Sequence, residues 1–585
     1  MSIASSESQK SQRSRTFVCL ALVIAVAVVP YLQVLGFGFV YDDHLAIEEN
    51  PHLSLWPGLS RIFFSDIWTL SRLGNQSNYY RPLFLLSYEG VFQIAGSAPW
   101  AFHFVNLVFH AATAIMVFLL SRRLWQKDSV ALLATFLFAL HPTHVEAVAW
   151  IAALCELGYT LFVLIALYFY CHERRSKWAV FLSLSSYATA LLWKESALAF
   201  IPLIVLYDLF VIRQWRWKRW IPAGGVTLAY LGLRSVALGG LAPSVLYPDL
   251  SLPTQVLTAI SNVAFYLGKL IAPIRLSAFY IPEFVSSVNV GVCVVLLLVA
   301  LGLWKLRGRT AWAAVWIVAG LFPVLFVSRV AVPLADRDLY LPSIGFAWIV
   351  AVTLDAFGRK ILVPVAGVLL IGYGFLALQQ LPAWRDDLSL FAHELQQQPD
   401  SSRIRLLLAS ELARRGQHEE AMGHLREILS HHPSDMEALI DMSGVQLSMK
   451  DSVGVRETCS KVFQLHSEAP RCLYNLGYLD EIEGRFVDAR NKFAKAYELD
   501  PTLTQALLHQ GLMDARMGKL NAAEKALEAA VERIPTASAL NNLGSVYAER
   551  GEFAKAVRTF EAALRVDPSF ELARRNLQQA VADSR

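Results

Sequence analysis

The sequence has little of what metal knuckles, redox motifs and nucleic-acid surfaces require. It contains six cysteines in 585 residues, and no two of them form a C-x-x-C pair, so neither a metal knuckle nor a redox motif is indicated. Charged residues make up only 17% of the chain, with a net charge of +4. Such a small charge, without a basic stripe in the polar part, argues against nucleic acid as a partner. Pairing of Cys459 with Cys472 in an oxidising compartment is an open alternative.

Apolar residues are abundant instead, at 55% of the chain, more than soluble proteins contain. The first apolar run, Thr16 to Gly36, has about the 20 residues that cross a bilayer. Residues 1–15 are polar and basic, and no small-residue cleavage site follows the run. We therefore expect a cytoplasmic tail over 1–15, a retained membrane anchor, and a multi-spanning domain over 16–382.

Further apolar runs occupy 100–120, 129–141, 147–170, 177–193, 196–212, 221–238, 256–272, 288–306, 310–330, 343–357 and 361–381. Basic clusters follow several of them and should be cytoplasmic. All basic clusters are cytoplasmic only if 256–272 is re-entrant or interfacial, or is paired with part of the preceding segment 239–254. Such a segment is possible, because irregular backbone is tolerated where it lines a cavity. The prediction is then about 11 crossings, with the C-terminal domain on the outer side.

From about residue 399 the composition becomes polar and helical. Prolines at 399, 433, 501, 535 and 568 are separated by 34, 68, 34 and 33 residues, with Ser467 in the skipped slot. This is the tetratricopeptide (TPR) period. The spacing predicts a linker over 383–398, five repeats over 399–568 and a capping helix over 569–585. The second repeat is atypical, because Lys450 and Val455 replace its glycine and alanine.

Two vicinal carboxylates, Asp42 and Asp43, stand where the first apolar run ends. Charges at a membrane face are costly and are usually functional. By the predicted topology, polar motifs from several other loops share the outer face with them: Asn78 to Pro82, His141 to Glu146, Trp193 to Ser196, Pro273 to Ser277 and Ala335 to Ser343. One polar site built from many helix ends is the simplest interpretation.

These motifs resemble those of the transmembrane and TPR-repeat O-mannosyltransferases, which belong to the GT-C class of multi-spanning glycosyltransferases using polyprenyl-phosphate sugars. The resemblance rests on the Asp-Asp loop, Tyr80 to Leu83, His141 to Ala149, Lys194-Glu195, Arg337 to Ser343 and the terminal repeats. It implies an all-α fold, with a polytopic membrane helix bundle followed by a TPR α-solenoid.

The resemblance also implies roles for individual residues. An inverting transferase needs a carboxylate as general base and cations on the leaving phosphate. Asp42 or Asp43 would be the base, with Asp43 slightly favoured. Arg337 would be the main phosphate clamp, because guanidinium binds phosphate bidentately, with Arg81 and Lys194 as second choices. The remaining candidates would line the site: Tyr80, His141, His144, Glu146, Glu195 and Tyr340. Asp336 and Asp338 depart from the expected glutamate and tyrosine.

Other interpretations of the same residues stay open. The two aspartates are typical of a solvated helix cap, Tyr79 and Tyr80 of interfacial aromatics, and Lys194 and Glu195 of a simple ion pair. His141, His144 and Glu146 have the side chains of metal ligands, but no third distant ligand is evident. We predict no metal and no cofactor besides the polyprenyl-phosphate-linked sugar that acts as donor. Asn75 begins a glycan-acceptor motif relevant only in a eukaryotic lumen.

The favoured function is transfer of mannose or another hexose to a serine or threonine of a protein, with the TPR groove holding the acceptor. The expected partners are thus the bilayer, the lipid-linked sugar and an acceptor protein or peptide. A non-catalytic TPR scaffold and a polysaccharide ligase or polymerase are the alternatives. The expected location is a bacterial inner membrane with periplasmic repeats, or an endoplasmic reticulum membrane with lumenal repeats.

Overall fold

The structure is a computed structural model that describes residues 2–48, 50, 53, 58–68, 77, 79–172, 176–240, 251–280, 307–326 and 334–584. The chain divides into two compact units. Of the described residues, the first unit contains those within 2–48, 58–68 and 77–397, and the second contains 50, 53 and those within 398–584. Both are helical, and no strand occurs in the described ranges, so the all-α prediction is confirmed.

The first unit is a bundle of apolar helices. Its α-helices are Ser2–Val28, Leu59–Phe63, Pro82–Ala95, Pro99–Trp125, Asp128–Leu140, Val145–Ala149, Leu154–Tyr170, Lys177–Trp193, Phe200–Tyr207, Trp217–Leu238, Leu252–Ile271, Gly308–Phe326, Ser343–Ala356, Arg359–Gln380 and Asp387–Gln397. Short 3₁₀ segments extend several of them: Val29–Gly36, Pro142–His144, Ile151–Ala153, Glu195–Ala199, Asp336–Leu339 and Leu381–Trp384.

Within the described residues, seven helices are long and apolar enough to cross a membrane, or eight if Asp128–Leu140 and Pro142–Ala149 form one span bent by 55°. Pro142 explains the bend, because proline lacks the backbone donor and clashes with the preceding turn. Of the other predicted crossings, Lys177–Trp193 and Ser343–Ala356 are shorter helices, with 17 and 14 residues, and 288–306 lies outside the described residues. Leu252–Ile271, the segment excluded from the predicted crossings, is a helix of 20 residues that is not among the candidate spans. The number of about 11 crossings stays a prediction.

Two contacts show that the first helix and helix Pro99–Trp125 run antiparallel. Arg122, near the end of the second, donates from Nη1 to Thr16 Oγ1 at 2.9 Å. His103, near its beginning, lies with Nε2 3.3 Å from the carbonyl oxygen of Gly38. Since 27 residues of helix extend about 40 Å, the Arg122 end and the Gly38 end are opposite ends of the bundle.

Residues 383–397 of the segment predicted to be a linker are folded as part of the first unit, and Gln398 belongs to the second. It contains helix Asp387–Gln397, whose Leu390 and Phe391 are buried. The backbone N–H of Gly38 donates to the carbonyl oxygen of Arg385 at 3.0 Å. The amphipathic pattern of a single helix does not reveal in the sequence that this helix packs against the membrane unit.

The second unit consists of antiparallel helix pairs with a final single helix. The helices are Ser402–Arg414, His418–His431, Met436–Ser448, Ser452–Leu465, Pro470–Ile482, Phe486–Leu499, Thr504–Arg516, Leu520–Arg533, Ala537–Glu549, Phe553–Val566 and Glu571–Asp583. Small residues allow close packing within a pair: a Cβ on Gly544 would lie 2.7 Å from Phe560. Cys459 and Cys472 are buried free thiols.

The turn inside each helix pair needs a residue whose backbone adopts the left-handed conformation. Gly416, Gly484, Gly518 and Gly551 have φ of +79°, +78°, +73° and +75°. In the atypical second repeat Lys450 takes this position with φ +61°, where a side chain is strained.

Replacing Lys450 by glycine is therefore expected to stabilise the second unit by about 1 kcal/mol, because the left-handed strain disappears. Lys461→Gly is the matched control: Lys461 is exposed within helix Ser452–Leu465, where glycine costs about 1 kcal/mol. Hydrogen exchange of the helices flanking the turn should slow in the first variant and accelerate in the second. Equal acceleration in both would contradict the strain at Lys450.

Candidate active site

The Asp-Asp loop is held in place by one of its two aspartates. Asp43 is fully buried, and its carboxylate accepts hydrogen bonds from Ala152 N at 2.9 Å and Val40 N at 3.2 Å. Burial raises the pKa of Asp43 well above its ordinary value, although these two donors oppose the shift. Asp42 is only partly buried. The loop thus places one carboxylate inward as an anchor and leaves the other accessible.

Asp387, in the segment predicted to be a linker, holds the same loop from the other side. Its Oδ1 accepts from Tyr41 N at 2.7 Å, and its Oδ2 lies 3.0 Å from His44 Nε2. The hydrogen bond from His44 to Asp387 raises the pKa of His44 to about 9, so the imidazole is cationic at neutral pH. Tyr41 has a left-handed φ of +53°, a strained conformation for a residue with a side chain.

Arg81, a candidate phosphate contact, is paired with Glu195. Arg81 Nη2 lies 2.7 Å from Glu195 Oε1, and Nε lies 3.3 Å from Oε2, the bidentate geometry of an arginine and a carboxylate. The guanidinium also lies over the ring of Tyr79, 4.4 Å from its centroid. Both side chains are about one tenth exposed, at 11% and 8%, so this pair is rigid and largely shielded from solvent.

Lys194 does not pair with its neighbour Glu195. Its ammonium group forms an ion pair with Glu156 and lies 3.9 Å from Asp338 Oδ1. Tyr266 donates to the other oxygen of Asp338 at 3.0 Å. The alternative of a simple Lys194–Glu195 ion pair is therefore wrong, because each residue has a different partner.

Arg337 is the most accessible of the three candidate cations, with 23% of its side chain exposed. Glu146, which is buried, accepts from Arg337 N at 2.9 Å and forms an ion pair with its guanidinium. The guanidinium lies over Trp150, 5.0 Å from the ring centroid. These two contacts orient the side chain while leaving part of it accessible.

Trp150 joins the elements of the site. Besides Arg337, its ring contacts Tyr41 of the Asp-Asp loop at 6.3 Å and stacks on Trp384 at 6.0 Å between centroids. Trp150 is followed by the 3₁₀ segment Ile151–Ala153, which supplies the N–H group bound by Asp43. The Asp-Asp loop and the Arg337 loop therefore meet on one short segment.

Three of the predicted lining residues lie in a second, fully buried group. His144 Nε2 is 2.8 Å from Ser343 Oγ, His141 Nε2 is 3.1 Å from the carbonyl oxygen of Leu270, and Tyr340 OH is 2.7 Å from His110 Nδ1. These contacts connect helices around the break at Pro142. Tyr80 is also buried, and it donates to the carbonyl oxygen of Phe63 at 3.1 Å.

Asp336 holds another loop of the unit. It accepts from Tyr280 OH at 2.8 Å and Ser277 N at 3.1 Å. Glu394, on helix Asp387–Gln397, binds the same loop through Ser277 Oγ and through Ala278 N at 3.0 Å. The helix after the last membrane segment thus fastens two loops, one through Asp387 and one through Glu394.

Glu394 makes this attachment dependent on pH. Burial raises its pKa from 4.5 to about 7. Between pH 4.5 and 7, Glu394 is therefore protonated in the folded state and ionised in the unfolded state. The free energy of unfolding is highest below about pH 4.5 and falls as pH rises to 7, by about 3 kcal/mol at most. Glu394→Gln should remove this loss, so its melting temperature should exceed that of wild type increasingly up to pH 7. Glu532→Gln, at an exposed position, should show a constant difference, and a constant difference for Glu394→Gln would contradict the shift.

Sequence reasoning missed Glu156, Asp387 and Glu394. The sequence did mark Glu156 as a candidate, because an ionisable residue within an apolar run is rarely accidental. Nothing in the sequence marked Asp387 and Glu394, since they lie in a polar stretch where carboxylates are common. The described residues contain no group of three or more side chains arranged to hold a metal ion.

Comparisons with known proteins find similarities over both parts of the chain. Tetratricopeptide repeat family models match residues 502–569 and 395–443. A solved structure of YrrB, a TPR protein with an unusual peptide-binding site, aligns with 32% of this chain and 97% of its own, at 21% identity and a TM-score of 0.25.

Three relatives are named protein O-mannosyl-transferases. TMTC2 of Mus musculus is 34% identical over 34% of this chain, which covers 25% of that protein. F38B6.6 of Caenorhabditis elegans is 26% identical over 72% of this chain and 64% of its own length, and TMTC3 of Homo sapiens is 23% identical over 95% and 68%. The match to TMTC2 thus spans a quarter of that protein. The names support the prediction of a glycosyltransferase, and the predicted resemblance to the TMTC-like O-mannosyltransferases with TPR repeats is confirmed.

Proposed function

We propose that this protein transfers a hexose, with mannose favoured, from a polyprenyl-phosphate carrier to a serine or threonine hydroxyl of a protein. The observation that carries the proposal is the accessible carboxylate of Asp42 on a loop that shares Trp150 with the oriented guanidinium of Arg337. A base and a phosphate-binding cation are the two groups that inverting transfer requires.

In the proposed reaction, Asp42 accepts the proton of the acceptor hydroxyl. The hydroxyl oxygen forms a bond to the anomeric carbon, the bond from that carbon to the phosphate oxygen breaks, and the electron pair leaves with the polyprenyl phosphate. Asp43 is less suited to this role, because it is fully buried and anchored by backbone N–H groups, whereas Asp42 is only partly buried. This reverses the slight preference for Asp43 that the sequence suggested.

The cations have separate tasks in this proposal. Arg337 binds the phosphate of the donor, since its guanidinium is oriented by Glu146 and Trp150 yet partly exposed. Arg81 and Lys194 are more deeply buried and fully engaged with Glu195 and Glu156. Their charges are balanced by these carboxylates, so in this proposal they hold the loops around the phosphate site in place and contribute little net positive charge.

The repeats would bind the acceptor chain, because stacked TPR helices form an extended concave surface for peptides. The transfer would take place on the outer face of a membrane, with the Asp-Asp loop and the repeats on that face. The favoured membrane is the bacterial inner membrane, and an endoplasmic reticulum membrane is the alternative.

Sugar transfer in membranes tests the proposal. Membranes containing the full chain should transfer label from polyprenyl-phosphate [³H]mannose to a serine- and threonine-rich polypeptide, and mild alkaline β-elimination should release it. Asp128→Asn, at a side chain that is 45% exposed on the opposite end of the bundle, is the control for expression and insertion. Label that resists β-elimination and enters polysaccharide would favour a ligase, and no transfer from any polyprenyl-phosphate hexose would favour a scaffold.

A further inference from the structure

A polar cavity lies far from the candidate active site. It has a volume of about 650 Å³, and five arginines are among its lining residues: Arg123, Arg213, Arg216, Arg219 and Arg309. Arg123 follows Arg122, whose side chain binds Thr16. The cavity is therefore at the end of the bundle opposite to Gly38 and the Asp-Asp loop.

The positive charge of this cavity is not balanced by the residues that the structure describes. Asp208 is its one carboxylate among the lining residues, and it is fully buried. It accepts from Tyr170 OH at 2.7 Å and Trp220 Nε1 at 3.1 Å, and Arg216 Nη1 lies 3.9 Å from it. One carboxylate offsets one arginine, which leaves an excess of positive charge.

Part of the cavity wall is rigid. Arg123 donates to the carbonyl oxygen of Tyr168 at 3.2 Å, lies over the Tyr168 ring at 4.8 Å, and contacts His172 Nδ1 at 2.5 Å. In contrast, Arg213, Arg219 and Arg309 form no ion pair within the described part of the chain. Arg213 has a left-handed φ of +59°, because it ends the helical turn Asp208–Ile212.

We propose that this cavity binds the phosphate group of an anionic ligand. Guanidinium forks match phosphate oxygens bidentately, and the volume is within the range of about 300–1,000 Å³ typical of small-molecule sites. Trp215 and Trp217 beside the cavity are 68% and 50% exposed, and tryptophan is enriched where a membrane meets water. The phosphate can therefore come from a phospholipid head group at that interface or from a soluble phosphate.

Binding to the full chain in nanodiscs distinguishes these sources. The wild type and the triple variant Arg213→Gln, Arg219→Gln, Arg309→Gln are placed in phosphatidylcholine alone or with 20% phosphatidylglycerol, and melting temperatures are compared. Phosphatidylglycerol should raise the melting temperature of the wild type, and the triple variant should lose most of this shift. Inorganic phosphate added to phosphatidylcholine nanodiscs should reproduce the shift only if the ligand is soluble.

Two further variants keep the test decisive. Arg359→Gln with Lys360→Gln removes exposed charges outside the cavity and should retain the full shift. Arg309→Lys keeps the charge but not the guanidinium fork. It should raise several-fold the ligand concentration needed for half-maximal stabilisation, and it can be measured even if the triple variant does not fold. Equal shifts in all variants, or no shift with either phosphate source, would overturn the proposal.

Discussion

Asp42→Asn is expected to reduce sugar transfer by about 10² to 10⁴-fold, the usual contribution of a general base, with a smaller loss of melting temperature than Asp43→Asn. The carboxylate is partly exposed, and the amide keeps its shape but cannot take the acceptor proton. The measurement is kcat for label transfer from polyprenyl-phosphate mannose, together with a thermal melt of the same preparation.

Asp43→Asn is the matched comparison and should behave differently. An amide NH₂ would face one of the two backbone donors, Ala152 N or Val40 N, and leave it unpaired in a buried site. This costs about 1–3 kcal/mol of stability, so activity should fall together with the melting temperature and recover in part at lower temperature. Full activity of Asp42→Asn, with inactive but normally stable Asp43→Asn, would assign the base to Asp43 instead.

Arg337→Ala is expected to lower kcat/KM for the lipid-linked donor by about 10² to 10³-fold, comparable to removing one donor that stabilises an oxyanion. Arg337→Lys should restore only part of this loss, because an ammonium group does not provide two parallel hydrogen bonds. The acceptor KM should stay unchanged in both variants, since the side chain is proposed to bind the phosphate.

Product inhibition separates phosphate binding from a purely structural role of Arg337. Polyprenyl phosphate should inhibit the wild type and the exposed control Arg359→Ala equally, and Arg337→Ala at least tenfold more weakly. Unchanged inhibition in Arg337→Ala, with activity lost, would show that the side chain only holds Glu146 and Trp150 in place.

The periodicities of the sequence predicted what depends on local regularity. Repeats of 34 residues are set by turns and close helix packing inside each pair, so the prolines and Gly416, Gly484, Gly518 and Gly551 predict them directly. The length of an apolar run likewise predicts a long membrane helix, because this property too depends only on neighbouring residues. The break after Leu140 was also visible in the sequence, since Pro142 cannot continue a helix.

The partners of the site residues depended on tertiary structure. Asp42 and Asp43 are adjacent and chemically identical, so no pattern distinguishes the buried anchor from the accessible carboxylate; the N–H group of Ala152, 109 residues away, decides it. In the same way, Lys194 and Glu195 bind Glu156 and Arg81 instead of each other.

The sequence by itself determined the two-part architecture and the residue types available in the loops of the candidate site, because both follow from composition and spacing along the chain. Only the tertiary structure decided that Asp387 and Glu394, in an apparent linker, hold the loops of the site. The physical reason is that a carboxylate's role is set by the donors that fold around it, and those donors come from distant segments.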